Sequence, residues 1–215
     1  MRYRRIPDET IRRLPVYLRA LLNWLEQGQE KVSSNVLGET VGVKPSQVRK
    51  DFSYFGEFGK PGVGYSTSSL IRQIKKILQF DAVQKAALVG VGNLGSAVLS
   101  YPGFGMFGLE IVAAFDSDPR KIGKKVSGVV VEGVGDLGSL GDRGVRLGIV
   151  AVPSEAAQET VDLLVDAGVR GILNFSPCNV VAPKKVKVAT LDIAMELARL
   201  PYYVPVDRSE GNGKQ

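Results

Sequence analysis

Lys85-Ala86-Ala87-Leu88-Val89-Gly90-Val91-Gly92-Asn93-Leu94-Gly95-Ser96-Ala97-Val98-Leu99 is the stretch that decides the reading of this chain. Its first residues, small or branched and mostly apolar, predict a short buried strand. They lead into a complete G-x-G-x-x-G from Gly90 to Gly95, and the residues beyond predict a helix. Strand, glycine turn and helix in that order are what a dinucleotide-binding turn requires. Gly90 permits the tight turn, Gly92 lets the backbone approach a pyrophosphate, and Gly95 lets the helix pack closely on the sheet. Asn93 and Leu94 open the helix, where unpaired N–H groups and the helix dipole favour an anion.

Downstream, Leu109–Phe115 predicts a second buried strand, ending at Asp116, 21 residues beyond Gly95. An acid there is placed to accept hydrogen bonds from an adenosine ribose and to repel a 2′-phosphate. The expected cofactor is therefore NAD(H) rather than NADP(H). Asp118 is a candidate cap for the turn that follows. Further βα units follow: strands at 129–131, 147–152 and 171–175, with a helix at 154–167 between the last two. Val152, Pro153 and Asn174 fall at strand carboxyl ends, the edge at which open α/β sheets bind ligands. Cys178 adjoins that edge and reads as a small buried residue. Leu191, Ala194, Leu197, Ala198 and Leu200 predict a helix over 192–200 whose apolar face needs a partner, either its own domain or a second subunit.

Upstream, the charge changes. Residues 1–80 hold 14 Lys and Arg against 7 Asp and Glu, a net of +7, whereas residues 81–215 hold 14 against 15, a net of −1. A basic segment joined to a near-neutral domain points to nucleic acid as the partner of the first part. Leucines at 14, 18, 21, 22 and 25 predict an amphipathic helix over 8–27, with Pro15 marking the first turn of its main part. Ser33-Ser34 offers an N-cap for a short helix to Val41, Gly42 breaks it, and Pro45 suits the first turn of the next. This is the helix-turn-helix plan. In the second helix Val48, Phe52 and Phe55 form the packing stripe, while Ser46, Arg49, Lys50 and Ser53 form a polar, doubly basic one. With Gln47 beside it, that face is the candidate DNA-contacting surface, since Arg can read a guanine edge and Lys a phosphate. The glycine-dense Gly56–Tyr65 reads as a hairpin or wing carrying Lys60, and a helix over 67–79 connects to the next domain.

The expected organisation is a winged-helix DNA-binding domain at 1–80, an α/β Rossmann NAD(H)-binding domain at 81–190, and a C-terminal dimerisation helix and tail at 191–215. A single cysteine excludes an intrachain disulfide, and no apolar run is long enough to span a bilayer. The chain reads as cytoplasmic, and neither a membrane nor a metal is expected. Three classes compete for the nucleotide half: a sensor, a small NAD-dependent oxidoreductase, and a CoA- or other nucleotide-binding module. The chain has no histidine, the commonest proton-transfer side chain, and too short a C-terminal remainder for a substrate domain. Both weigh against a dehydrogenase.

Val48–Gly56, Gly62-Val63-Gly64-Tyr65, Gly90–Gly95, Tyr101-Pro102-Gly103-Phe104, Phe115-Asp116-x-Asp118-Pro119 and Gly171–Phe175 closely resemble the motifs of the bacterial Rex family, in order and in spacing. That resemblance implies a redox-sensing transcriptional repressor that binds palindromic double-stranded operator DNA as a homodimer, with a C-terminal helix swapped between subunits, and that lets go when NADH binds. It also implies that Arg49, Lys50 and Tyr54 contact DNA and that Lys60 lies in the wing. Arg19, Tyr101 and Asp192 would form the switch, with Tyr101 near the cofactor and the acid exchanging partners across the dimer. Two positions depart from the family pattern. Pro61 stands where many members carry a basic wing residue, and Pro201 predicts that the last helix kinks or ends near Leu200.

Overall fold

A computed structural model describes residues 6–56, 58 and 64–204. It divides into two compact units, the first running to Val83 and including Gly105–Gly108, the second taking the rest.

The first unit is helical. Helix α1 (Asp8–Glu26) follows Pro7, and Asp8 and Glu9 in its first turn complement the helix dipole. Strand β1 (Lys31–Val32) precedes α2 (Ser34–Val41), whose N-cap Ser33 accepts the Val36 N–H, and whose C-cap Gly42 sits at φ +69°. Helix α3 (Pro45–Ser53) starts on Pro45, strand β2 is Tyr65–Ser66, and α4 (Thr67–Ile77) is capped by Ser66. Leu14, Leu18, Leu21, Leu37, Val48, Phe52, Leu70 and Ile74 close one core. Each contributes roughly 1.5–3 kcal/mol over the exposed state. Two expectations change here. Pro15 lies inside a continuous helix rather than at its start; the carbonyl it leaves without a helical partner is that of Ile11, an exposed residue that water can serve. Strand β2 pairs antiparallel with β1, which precedes the helix-turn-helix and was not expected. Lys60 and Pro61, the expected wing residues, lie outside the described residues.

The second unit is a seven-stranded sheet. Its elements are β3 (Gln84–Val89), α5 (Asn93–Leu99), β4 (Leu109–Asp116), β5 (Lys125–Val126), β6 (Val129–Gly133), β7 (Leu147–Val150), α6 (Ser154–Asp166), β8 (Gly171–Asn174), β9 (Lys187–Thr190) and α7 (Ile193–Ala198). The strand order is β5-β6-β4-β3-β7-β8-β9, parallel throughout except for the β5–β6 hairpin. Alternation in β3 sends Ala87 and Val89 into one apolar cluster and Leu88 into another. The order reverses direction between β3 and β7, which creates a crevice at their carboxyl ends. Strands β5 and β9 were not expected: β5 is two residues long, and β9 is flanked by prolines, lysines and exposed positions that mask the pattern. Helix α7 ends at Ala198, and Leu200–Tyr203 forms a 3₁₀ turn around Pro201, in line with the break expected there.

Candidate nucleotide crevice and nucleic-acid surface

The glycine turn sits at the topological switch point. Gly90 is at φ +95°, donates to the Phe115 carbonyl, and lies so near the Ala151 carbonyl that a Cβ would collide with it. Gly95 abuts the Gly90 carbonyl oxygen in the same way, because α5 leaves the turn immediately. Gly92 differs: a Cβ there would meet nothing within 4 Å. Its open side belongs to the crevice, a space of about 620 Å³ bordered by Gly90, Gly92, Asp116, Asp118, Val152 and Pro153 among others. That volume falls within the range of small-molecule and cofactor sites.

Asp116 reaches the wall of this crevice, but its carboxylate is already engaged. Oδ2 accepts the Val91 N–H and Lys121 Nζ, both at 2.8 Å, and Oδ1 accepts the Asp118 N–H at 2.8 Å. Burial raises its pKa, yet the bond from Lys121 and those from the Asp118 and Val91 amides outweigh burial and hold it below the usual carboxylate range. Asp116 therefore ties the glycine turn to the end of β4. Asp118, two residues on, also borders the crevice; Arg120 grips it at 2.8 Å and holds its carboxyl at about 2. Lys121, Glu159 and Thr160, which no motif in the sequence singles out, also line the crevice. The spacing of Lys121 from Asp116 was the available signal.

The remaining expected cofactor residues divide. Val152 and Pro153 border the crevice; Asn93, Leu94 and Gly95 form the first turn of α5, which follows directly on Gly92. Asn174 is fully buried and turns inward: Nδ2 donates to the Ser176 and Cys178 carbonyls, and Oδ1 accepts the Ser176 N–H. These bonds shape the turn after β8. Cys178 is half-buried, with Sγ 3.7 Å from the Ser154 carbonyl. Tyr101 is half-exposed, its ring edge-on to Phe104 at 5.3 Å. Asp192 caps α7 by accepting the Ala194 and Met195 N–H groups.

In the first unit the two stripes of α3 separate as expected. Val48 and Phe52 are buried, Phe55 packs against the core, and Ser46, Arg49, Lys50 and Ser53 are exposed. Arg49 Nη1 donates to Ser34 Oγ at 2.9 Å, and Tyr54 follows at the C-cap. Gln47 has other business: its Nε2 donates to Asp51 Oδ1 at 2.8 Å. Asp51 has no exposed surface and also receives Thr10, Arg13 and Tyr17 from α1. Burial raises its pKa, but these hydrogen bonds overcome that and hold it at about 2. Arg19, farther along α1, lies over the Phe107 ring at 5.5 Å. Among the described residues there is no cluster of three or more metal-ligating side chains, and no helix is long and apolar enough to cross a membrane.

Comparison with known proteins connects these features. The family described as "Putative DNA-binding protein N-terminus" matches residues 5–53, and that described as "CoA binding domain" matches residues 81–178. The redox-sensing transcriptional repressor Rex of Chloroflexus aurantiacus is 43% identical over 92% of this chain and 94% of its own length. The chain belongs to the Rex family of redox-sensing transcriptional repressors. The Rex protein of Lactobacillus acidophilus is 44% identical over 95% of this chain and 97% of its own. The crystal structure of the Rex-family repressor RSP in complex with NAD+ and operator DNA is 34% identical, with a TM-score of 0.86 over 92% of each chain. The same repressor in complex with NADH gives a TM-score of 0.83 at 32% identity, covering 93% of this chain and 94% of its own. The fold is thus that of a Rex repressor, with a helical DNA-binding unit followed by a Rossmann-like one. The "CoA binding domain" match describes the shape of the second unit, and the Rex relatives are repressors, not enzymes.

Proposed function

We propose that this chain represses transcription as a homodimer on a palindromic operator and releases it when NADH occupies the crevice of the second unit. The observation that carries the reading is one chain in which a doubly basic recognition face precedes a glycine-turn crevice at a sheet switch point. A relative of the same fold, crystallised with NAD+ and operator DNA, supports it.

In this reading residues 1–80 bind DNA, 81–190 bind NAD(H), and 191–215 join the subunits. Arg49 takes a base edge, with Lys50, Ser46 and Tyr54 on backbone and flanking positions. Lys60 of the wing, outside the described residues, adds a phosphate or minor-groove contact. Gly92 and the first turn of α5 receive the pyrophosphate, and the ribose sits beside Asp116 and Asp118. Two carboxylates at that end disfavour the extra phosphate of NADP(H), and equally the ribose phosphate of CoA. The Rossmann-like shape alone favours neither ligand.

The dimer reading rests on two complementary features of the second unit. Ile193, Met195 and Leu197 of α7 expose more than half of their surface. An apolar groove of about 290 Å³, bordered by Ala86, Ile111, Ile149 and Leu173, runs across the sheet. A second copy's α7 would cover the one with the other. NAD+ carries a positive ring and NADH a neutral one, so Asp192, exchanging between Arg19 and Tyr101, can answer to that charge. Complete switching needs a differential affinity on the order of 5 kcal/mol. A repressor of this kind works in the cytoplasm.

A DNA-shift titration with NADH and NAD+ added separately tests the function. Loss of the shifted band with NADH, at concentrations where NAD+ leaves it intact and no nucleotide is turned over, is the expected result. A band indifferent to both nucleotides would refute the sensor.

A further inference from the structure

A dense polar cluster lies within the first unit, under the recognition helix. Five hydrogen bonds reach the Asp51 carboxylate: Thr10 Oγ1 at 3.0 Å, Arg13 Nε at 2.6 Å and Nη2 at 2.8 Å, Tyr17 Oη at 2.7 Å, and Gln47 Nε2 at 2.8 Å. Asp51 and Tyr17 have no exposed surface, and Thr10 has almost none. Thr10, Arg13 and Tyr17 share one face of α1 at i, i+3 and i+7. Asp51 follows directly on Arg49 and Lys50, the two cations of the DNA-facing stripe.

A buried ion pair is a weak device for stability, since apolar residues of the same volume hold a fold as well or better. What it supplies is direction. The apolar contacts of Val48 and Phe52 press α3 onto the unit but tolerate rotation about its axis. A carboxylate engaged by donors at fixed angles does not. A rotation of about 15° moves a side-chain tip lying roughly 6 Å from a helix axis by about 1.5 Å, enough to spoil a bidentate contact with a base edge.

We propose that Asp51 is a positioning residue for operator recognition: the donors gathered on its carboxylate fix the rotation of α3 against α1, and thereby the aim of Arg49 and Lys50. Gln47 belongs to this clamp rather than to the base-reading set. The inference rests on the operator-binding reading above.

Its test separates sequence discrimination from the amount of folded protein. Full-length wild type, Asp51→Asn and Tyr17→Phe are titrated by fluorescence anisotropy against two duplexes at one salt concentration. One duplex is that selected by the wild type from a random pool; the other is a scramble of it. Partial unfolding lowers both affinities by one factor and leaves their ratio unchanged. Misdirection lowers only the specific one, because phosphate contacts tolerate small displacements. Asp51→Asn is expected to lose about tenfold in operator affinity, the scale of one base contact, with the scrambled duplex bound within about twofold of wild type. Equal losses on both duplexes, or none, would overturn the proposal. If Asp51→Asn does not fold, Tyr17→Phe decides, since it removes one donor and no charge: a ratio reduced about threefold supports the clamp, and an unchanged ratio overturns it. A wild type that selects no duplex refutes operator binding itself, and the clamp with it; a wild type that selects one, beside variants of undiminished ratio, refutes the clamp alone.

Discussion

Gly92 and Gly95 stand three residues apart in the same turn, yet substitution should have different consequences at each. A Cβ on Gly95 meets the Gly90 carbonyl oxygen, whereas one on Gly92 meets no protein atom within 4 Å. Gly92→Ala is therefore expected to melt within about 2 °C of wild type, as substitutions free of strain do, while losing at least tenfold in NADH affinity by calorimetry. Gly95→Ala should lower both the melting temperature and the affinity. Equal loss of stability in the two would show that Gly92 serves the fold and not a ligand. Asp192 calls for a different measurement, because it caps α7 through two backbone N–H groups as well as standing in the proposed switch. Asp192→Asn keeps a capping oxygen and removes the charge. It should bind NADH normally but release operator only at higher NADH; release at the wild-type level would remove Asp192 from the switch.

Among elements, α1 and α3 are joined by chemistry that titrates. The Asp51 carboxyl has an ordinary value of 3.8 and a folded value of about 2, so the folded state favours its charged form. Such a group stabilises fully above its ordinary value and ceases to do so as pH falls through the folded one. The difference corresponds to a contribution on the order of 2 kcal/mol. Asp51→Asn should thus be less stable than wild type at neutral pH by about that amount, and the gap should close between about pH 4 and 2 in denaturant melts. A gap constant with pH would mean that the ionised form is not what the donors hold. Elements were also where sequence patterns served least evenly. The amphipathic stripe of α3 was legible because both its faces repeat at helical spacing. The two-residue β1 and β2 carry no period at all, and only tertiary contact brings them together.

For the whole molecule, the exposed apolar face of α7 makes the proposed subunit association the property most open to attack. Leu197→Asp puts a charge on that face at a position already exposed within one chain, so the monomer should keep its fold. Sedimentation is expected to show the wild type as a dimer and Leu197→Asp as a monomer at the same concentration. Affinity for a two-half-site operator should fall by about a hundredfold or more, since each half-site then binds without the other's effective concentration. A dimeric Leu197→Asp protein that still bound operator would place the interface elsewhere. Pro201 ends the regular helix before this face can lengthen, which the chemistry of proline made predictable.

Short-range rules determined much of this protein without help. The glycine turn between strand and helix, the break at Pro201, the Ser33 cap and the charge split follow from backbone sterics, helix periodicity and counted charge, all of which are local. Tertiary structure decided how polar groups were used. Asp116, placed by spacing at a ribose, also ties Val91 and Lys121 to the end of β4. Asn174 is hydrogen-bonded within its own loop, and Gln47 donates to Asp51. A buried donor or acceptor must find a partner, and the partner is wherever the fold brings a complementary atom, 34 to 41 residues away in the case of Tyr17, Arg13 and Thr10. Apolar residues reveal their side by periodicity, whereas a hydrogen bond depends on a single distance and angle that no local pattern records.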